Sequence, residues 1–280
     1  MHAFHSLRAR RARRASRVLL LAAFAPSACA VPTEAPTFPS DAVEYQAPPV
    51  YRLWWNLVES CSGLSGDFSA VRFYEEPGRT IATAGADSAN GYWFGDGNRV
   101  LVGQERMYEG PLLRHEMLHA LLGKAEGSGH PREYFIDRCG GVVHCVGACL
   151  TNDPPPPAPD PSAPQVQPTD MQMDVRVDPS PFDSTTYDGW AAVTVTVTNP
   201  FSHTVWVNAP IAALGYTLAN ALTQEAPLFE SPIPFTSSEV RRQVFDVQLE
   251  GGTMRLAPGS YAVRAIFAGD TGSAVTLQVR

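Results

Sequence analysis

A run of prolines constrains how this chain can fold. Residues 153–168 contain eight of the 25 prolines in the sequence. Proline fixes φ and removes a backbone hydrogen-bond donor, so the segment favours an extended, semi-rigid polyproline conformation. We therefore predict a linker over residues 151–169, with one domain before it at residues 50–150 and a second after it at residues 170–280. Each domain is expected to fold alone.

The region before the linker has a mixture of helix and strand patterns. Apolar residues at helical spacing predict an amphipathic helix over residues 50–61, and alternating apolar residues predict a strand at residues 71–74. A Gly-Asp-Gly-Asn turn between residues 92–94 and 99–102 indicates a hairpin. This region is therefore predicted to be an α+β domain.

The region after the linker has almost only β patterns. Short alternating or β-rich segments recur between turn residues, at 173–177, 191–198, 204–208, 244–249, 253–256, 261–267 and 274–279. Short strands of this kind in a region of this length are typical of an antiparallel β-sandwich, Ig-like in the broad sense. The predicted fold class is thus an α+β domain followed by an all-β antiparallel sandwich.

The strongest functional pattern is an H-E-x-x-H motif formed by His115, Glu116 and His119. It lies on a predicted helix over residues 112–122, which Gly123 would end. Residues four apart share one face of a helix, so the two histidines can bind one metal ion, and the glutamate can reach a water on that ion. Zinc with three protein ligands keeps a fourth position open, as in a hydrolytic site.

A third metal ligand must come from the chain after this helix. His130 is the favoured candidate, because Gly127 and Gly129 make the preceding stretch flexible enough to fold back. Glu126 is the alternative candidate. Either residue would complete a site with three protein ligands.

The motif and its surroundings resemble the zincin superfamily of zinc metallopeptidases. The resemblance covers residues 50–140, with a first helix, a small sheet and the motif helix. It implies that His115 and His119 bind Zn²⁺ and that Glu116 is the general base. The stretch up to His130 looks like the turn of the metzincins with an enlarged loop.

The resemblance also suggests further site residues. Tyrosines in some zincins donate to a developing oxyanion, which makes Tyr134 a candidate for that role. Asp137 is a candidate for a residue that hydrogen-bonds to a metal ligand and so orients it. In zincins an extended substrate pairs with the edge strand ahead of the active helix, and residues 99–103 are the predicted edge here.

The function implied by the resemblance is the hydrolysis of peptide bonds by zinc-activated water, with a peptide or protein as the substrate. The alternative is a non-catalytic zincin-like or β-sandwich protein with a binding or structural role in the cell envelope. Zinc without hydrolysis would distinguish the binding protein from the enzyme.

The N-terminus has the pattern of an export signal. Six arginines precede a short apolar stretch at residues 18–24, and small residues follow it. Cleavage could follow an A-x-A site at residues 28–30, or Cys29 could become the lipidated first residue of a bacterial lipoprotein. We predict a signal over residues 1–29, a Pro-rich tether over residues 30–49, and an exported protein that is secreted or held in the envelope by lipid.

The remaining four cysteines are Cys61, Cys139, Cys145 and Cys149. An even number in an exported protein predicts two disulfides. The buried phase of Cys61 on its helix favours pairing with Cys139, and the other pair follows by elimination. A structural zinc site that includes His144 is the alternative.

The charge balance limits the partners that this chain can have. The sequence contains 28 acidic and 21 basic side chains, a formal net charge of −7. An acidic chain is repelled by phosphate backbones and anionic surfaces. We therefore expect no nucleic-acid partner, and membrane contact only through a lipid anchor.

Overall fold

The computed structural model describes residues 37–81, 90–123, 130–145, 158–183, 185–208, 213–218, 222–227, 232–249 and 256–280. Residues Ala35–Arg280 form one compact unit. We call residues 37–145 the N-terminal region and residues 158–280 the β-rich region. The predicted signal and Cys29 lie outside the described residues.

The described helices do not include one that is both long and apolar enough to cross a bilayer.

A four-stranded sheet forms one layer of the N-terminal region. Its strands are β1 (Val43–Tyr45), β2 (Arg72–Glu76), β3 (Gly91–Phe94) and β4 (Arg99–Gly103). The order is β1-β2-β4-β3, with β2 and β4 parallel and the other neighbours antiparallel. β1 lies within the predicted tether, so part of that segment is folded into the sheet.

The position of β4 corrects the prediction of a substrate-binding edge at residues 99–103. β4 is hydrogen-bonded to β2 on one side and to β3 on the other, so it is an inner strand. The hairpin was correctly predicted, but the crossover that brings β2 beside β4 was not visible in the local pattern. The edge strand on this side is β3.

Three α-helices pack among the described residues of the same region: α1 (Val50–Ser62), α2 (Gly110–Leu122) and α3 (Gly140–Val143). α1 and α2 match the predicted helices, and each ends at a glycine in the left-handed conformation, Gly63 and Gly123. α1 buries Trp54 and Trp55 almost completely, which anchors the helix in the core. The predicted α+β character of this region is confirmed.

The described residues of the β-rich region form three sheets. Its strands are β5 (Gln165–Val166), β6 (Gln172–Asp178), β7 (Trp190–Thr198), β8 (Val205–Val207), β9 (Ala213–Leu218), β10 (Leu222–Pro227), β11 (Ile233–Phe235), β12 (Val240–Gln248), β13 (Gly259–Phe267) and β14 (Asp270–Val279). The sheet orders are β10-β9-β13-β14, β11-β8-β5 and β12-β7-β6. The predicted β-rich second half is confirmed, although β9, β10 and β11 were not expected. Residues 253–255 of one predicted strand lie outside the described residues.

The end of the predicted linker is folded against the β-rich region. β5 pairs in parallel with β8, and the Trp206 indole N–H donates to the Asp160 carbonyl at 2.8 Å. Residues 151–157 lie outside the described residues. The exact domain boundaries therefore stay a prediction.

The described residues form two large hydrophobic cores and a smaller cluster of Tyr74, Ile81, Phe94 and Leu101. The core of the β-rich region is built from its own strands, including Val193, Val195 and Val197, which are buried as the alternation predicts. The core of the N-terminal region also includes Ala192 and Val244 from β7 and β12. The two regions therefore share buried surface.

Candidate metal centre

Three histidines converge beside α2. His115 and His119 lie one turn apart on that helix, and His130 follows residues 124–129, which are not described. One ligand atom from each of the three lies within 4.8 Å of the others. The three predicted histidines thus form a group that could hold a metal ion, whereas the alternative ligand Glu126 lies outside the described residues.

The spacing and protonation of these rings suit a metal ion. The Nε2 atoms of His115 and His130 are 3.0 Å apart. Tetrahedral zinc with nitrogen ligands places neighbouring nitrogens about 3.3 Å apart, so only a small shift is needed. Burial and the neighbouring rings lower the pKa of His119 to about 3 and hold that of His115 well below its ordinary value. These two imidazoles are neutral at pH 7, as metal ligands must be.

The second ring nitrogen of His115 contacts a sulfur. Its Nδ1 lies 3.3 Å from the Sγ of Cys145, which is disulfide-bonded. A disulfide sulfur has no proton to give, so the imidazole N–H is the donor. This contact favours the tautomer in which Nε2 of His115 carries no proton, as a nitrogen that binds a metal must.

Phe135 supports all three histidine rings. It is completely buried and lies in the π-helical turn Glu133–Arg138. Its ring centroid is 5.0 Å from that of His115, 4.6 Å from His119 and 4.7 Å from His130. Sequence reasoning missed this role, because a π-helical turn breaks the helical periodicity. The available signal was an aromatic residue shortly after His130.

β3 approaches the histidines from another side. The Trp93 ring is parallel to the His119 ring within 5°, with centroids 6.3 Å apart. The Trp93 indole N–H donates to the Asn98 side-chain oxygen at 2.8 Å, which fixes the indole in the hairpin. His119 is therefore held by packing against both Trp93 and Phe135.

Glu116 is buried within this assembly. The residue is only 6% exposed. Burial raises the pKa of its carboxyl to about 8. The backbone N–H of Trp93 donates to the carboxylate and opposes that rise. A divalent cation nearby would lower the pKa again, since it stabilises the ionised form. Glu116 is thus a proton-accepting group whose affinity for a proton depends on the metal.

The other predicted site residues make different contacts. The Arg138 guanidinium lies 5.3 Å from the centroid of the half-buried Tyr134 ring. Asp137 is exposed and forms an ion pair with Arg132 at 3.3 Å. The metal-ligand group identified among the described residues does not include Asp137. The oxyanion role of Tyr134 and the orienting role of Asp137 stay predictions.

The cysteines reinforce the segment behind the histidines. Cys61 on α1 is disulfide-bonded to Cys139 at the end of the π-helical turn, as predicted, with Cα atoms 5.2 Å apart. This bond removes two ligands from the alternative structural zinc site, and His144 contacts Gln243 instead. Cys149 lies outside the described residues, so its pairing with Cys145 stays a prediction.

Comparison with known protein families finds no family model that matches the chain, and no curated protein matches it. Three solved structures to which the chain is similar match it only weakly. The alkylpurine DNA glycosylase AlkC of Pseudomonas fluorescens, bound to DNA, shares 10% identity at a TM-score of 0.28, over 62% of this chain and 48% of that chain. A β-glucosidase from Erythrobacter marinus shares 10% identity at a TM-score of 0.25, over 39% of this chain and 15% of that chain. A putative late embryogenesis abundant protein shares 19% identity at a TM-score of 0.21, over 38% of this chain and 68% of that chain.

This chain spans about half the length of the first of these structures, the DNA glycosylase. Similarities this weak carry no argument about function.

Proposed function

We propose that the protein is an exported zinc-dependent metallopeptidase, with Zn²⁺ held by His115, His119 and His130. The observation that carries the proposal is the convergence of these three imidazoles around one position, with a buried carboxylate next to them in sequence. Imidazole ligands suit zinc, and three of them leave a position open for water or substrate.

The chain's own residues divide the work of hydrolysis. Bound zinc would supply the Lewis acidity that activates water and polarises the scissile carbonyl. A carboxylate oxygen of Glu116 would take a proton from the attacking water and deliver it to the nitrogen of the leaving amine. The N–H of Trp93 would hold that carboxylate in place during both transfers.

The architecture supports a peptide as the substrate. β3 is at the edge of its sheet and lies beside α2, where the Trp93 and His119 rings stack. An extended peptide could add to this edge by main-chain hydrogen bonds, which would carry its carbonyls past the metal. In this proposal the N-terminal region is zincin-like, and the β-rich region is an Ig-like accessory sandwich.

The disulfide supports the proposed location outside the cytoplasm. Cys61–Cys139 links two distant segments of the N-terminal region. Disulfides persist in oxidising compartments and are rare where thiols are kept reduced. The protein would be either secreted or attached to the envelope through Cys29.

Metal analysis and peptide cleavage test the proposal. Protein lacking residues 1–29 should contain one zinc per chain and cleave an unfolded protein substrate. Glu116→Gln should keep the zinc and lose about 10²–10⁴-fold in rate, the scale of general acid–base catalysis. Glu105→Gln is the matched control, because that carboxylate is exposed.

The metal ligands are tested separately from the chemistry. His130→Ala should weaken zinc binding, whereas His203→Ala, in the β-rich region, should not. Unchanged zinc affinity in His130→Ala would remove His130 from the site. Stoichiometric zinc without hydrolysis of any peptide would favour the alternative, a non-catalytic binding protein of the envelope.

A further inference from the structure

A buried ion pair joins the metal-site helix to the β-rich region. Arg114, the residue before His115 on α2, is completely buried. Its Nη1 donates to Oδ1 of Asp246 on β12 at 2.6 Å, and the Asp246 side chain is 12% exposed. A guanidinium with no access to water needs such a partner, because an uncompensated buried charge is very costly.

The same carboxylate also holds α1. The indole N–H of Trp54 donates to Oδ1 of Asp246 at 2.8 Å. One side chain from the β-rich region therefore bonds to both long helices of the N-terminal region. This arrangement fixes α1 and α2 relative to β12.

From Arg114 the contacts lead back to a metal ligand. Its Nε donates to the carbonyl oxygen of Val142 on α3 at 2.7 Å. α3 is followed shortly by Cys145, whose sulfur contacts Nδ1 of His115 at 3.3 Å. Asp246 is thus connected to His115 both along α2 and through α3.

Two glycines allow this close approach. A Cβ at Gly110, the first residue of α2, would lie 2.3 Å from Oδ2 of Asp246. A Cβ at Gly141 of α3 would lie 1.5 Å from the carbonyl oxygen of Arg242 on β12. Both distances are far below van der Waals contact, so the two helices rest directly on β12 only because these positions lack side chains.

We propose that Asp246 is a positioning residue for the metal centre: the β-rich region supplies the carboxylate that fixes α2 and so sets the place of His115. This proposal rests on the metal centre proposed above. It makes the second region a working part of the site, although every predicted metal ligand lies in the first region.

The test is the zinc affinity of the full chain with Asp246→Asn, measured by competition with a chelator well below the melting temperature. Asparagine keeps the shape and an acceptor but removes the charge. The variant should bind zinc about 10–100-fold more weakly, as when a partner behind a metal ligand is lost. The visible spectrum of the Co²⁺-loaded variant should also change, since it reports ligand geometry.

Glu239→Gln is the matched control. Glu239 lies just before β12 and forms an ion pair with Arg241 on that strand, so this pair stays within the β-rich region. It should leave zinc affinity and the Co²⁺ spectrum unchanged. If Asp246 has a purely structural role, Asp246→Asn should lower the melting temperature but leave the zinc affinity and the Co²⁺ spectrum unchanged. That result would overturn the proposal.

Gly110→Ala gives a second, independent variant that removes no charge. The added methyl must displace the Asp246 carboxylate, so zinc affinity should again fall, although alanine is the better helix former. If Asp246→Asn does not fold, this variant decides, and wild-type affinity in folded Gly110→Ala would overturn the proposal. Absence of zinc from the wild type would instead refute the metal centre itself.

Discussion

The N-terminal region and the β-rich region bury different kinds of side chains. Among the described residues, the buried charged ones are Glu76, Arg114 and Glu116, all in the N-terminal region. In the β-rich region, the buried polar residue is the uncharged Asn199, whose side chain bonds to backbone groups around it. Among the described residues, the N-terminal region thus buries charged side chains, whereas the β-rich region builds its core from apolar residues.

This difference has a consequence for stability. Buried charges require partners at fixed positions, whereas an alternating apolar core requires only its own strands. The N-terminal region obtains one of those partners from outside, since Arg114 is paired with Asp246. We therefore expect the dependence between the regions to be one-sided.

Separating the two regions should produce the largest effect. The sequence predicts that each half folds alone, but the contacts at Asp246 change that expectation for the first half. Residues 35–152 alone would lose the Arg114–Asp246 ion pair and would expose the apolar core surface that Ala192 and Val244 now cover. A typical domain has only about 5–15 kcal/mol of stability, so this fragment should be poorly folded and bind zinc weakly.

Residues 158–280 provide the comparison. Their core is formed by their own strands, so this fragment should melt cooperatively by circular dichroism. Full zinc affinity in a stable 35–152 fragment would contradict the one-sided dependence. Failure of both fragments to fold would replace it with mutual dependence.

The parts of the molecule that depend on local pattern could be predicted from the sequence. The helical spacing of α1 and α2, the glycines that end them and the 3.6-residue repeat that brings His115 and His119 together all lie within a short stretch of chain. The pairing of Cys61 with Cys139 followed from the buried face of α1. Apart from the disulfide, which joins residues 78 apart, these are properties that neighbouring residues determine.

The parts that depend on distant contacts could not be predicted. Arg114 and Asp246 are 132 residues apart, and neither stands out in its own segment. The inner position of β4 depends on a crossover, and the role of Phe135 depends on a π-helical turn. Packing between elements, rather than periodicity within them, determines each of these features.

The next comparison replaces one buried phenylalanine in each region. It tests whether aromatic packing supports the metal site in the N-terminal region but only the fold in the β-rich region. Phe135→Leu and Phe267→Leu both alter a completely buried ring. Each should cost about 0.5–3 kcal/mol of stability, the usual range for a core substitution. Only Phe135→Leu should also weaken zinc binding, because Phe135 contacts all three histidines.

Equal zinc affinity in the two leucine variants would show that the histidines are held without Phe135. Thermal melts establish that the two substitutions are matched in stability. Isothermal titration calorimetry then measures the zinc affinity of each variant. A loss of affinity in Phe267→Leu would mean that the two cores are coupled more tightly than the contacts indicate.

The smallest expected effect concerns two glycines with left-handed backbone. Gly123 ends α2 with φ at 63°, and Gly269 lies in the turn between β13 and β14 with φ at 88°. An added Cβ would meet no atom within contact distance at either position. Alanine at either position should therefore cost only about 1–2 kcal/mol, from backbone strain alone. The two variants should lower the melting temperature by similar amounts. Gly123, however, begins the connection from His119 to His130, so Gly123→Ala should also reduce zinc affinity, while Gly269→Ala should not. If both variants bind zinc as the wild type does, the path of the chain after α2 does not limit the geometry of the site.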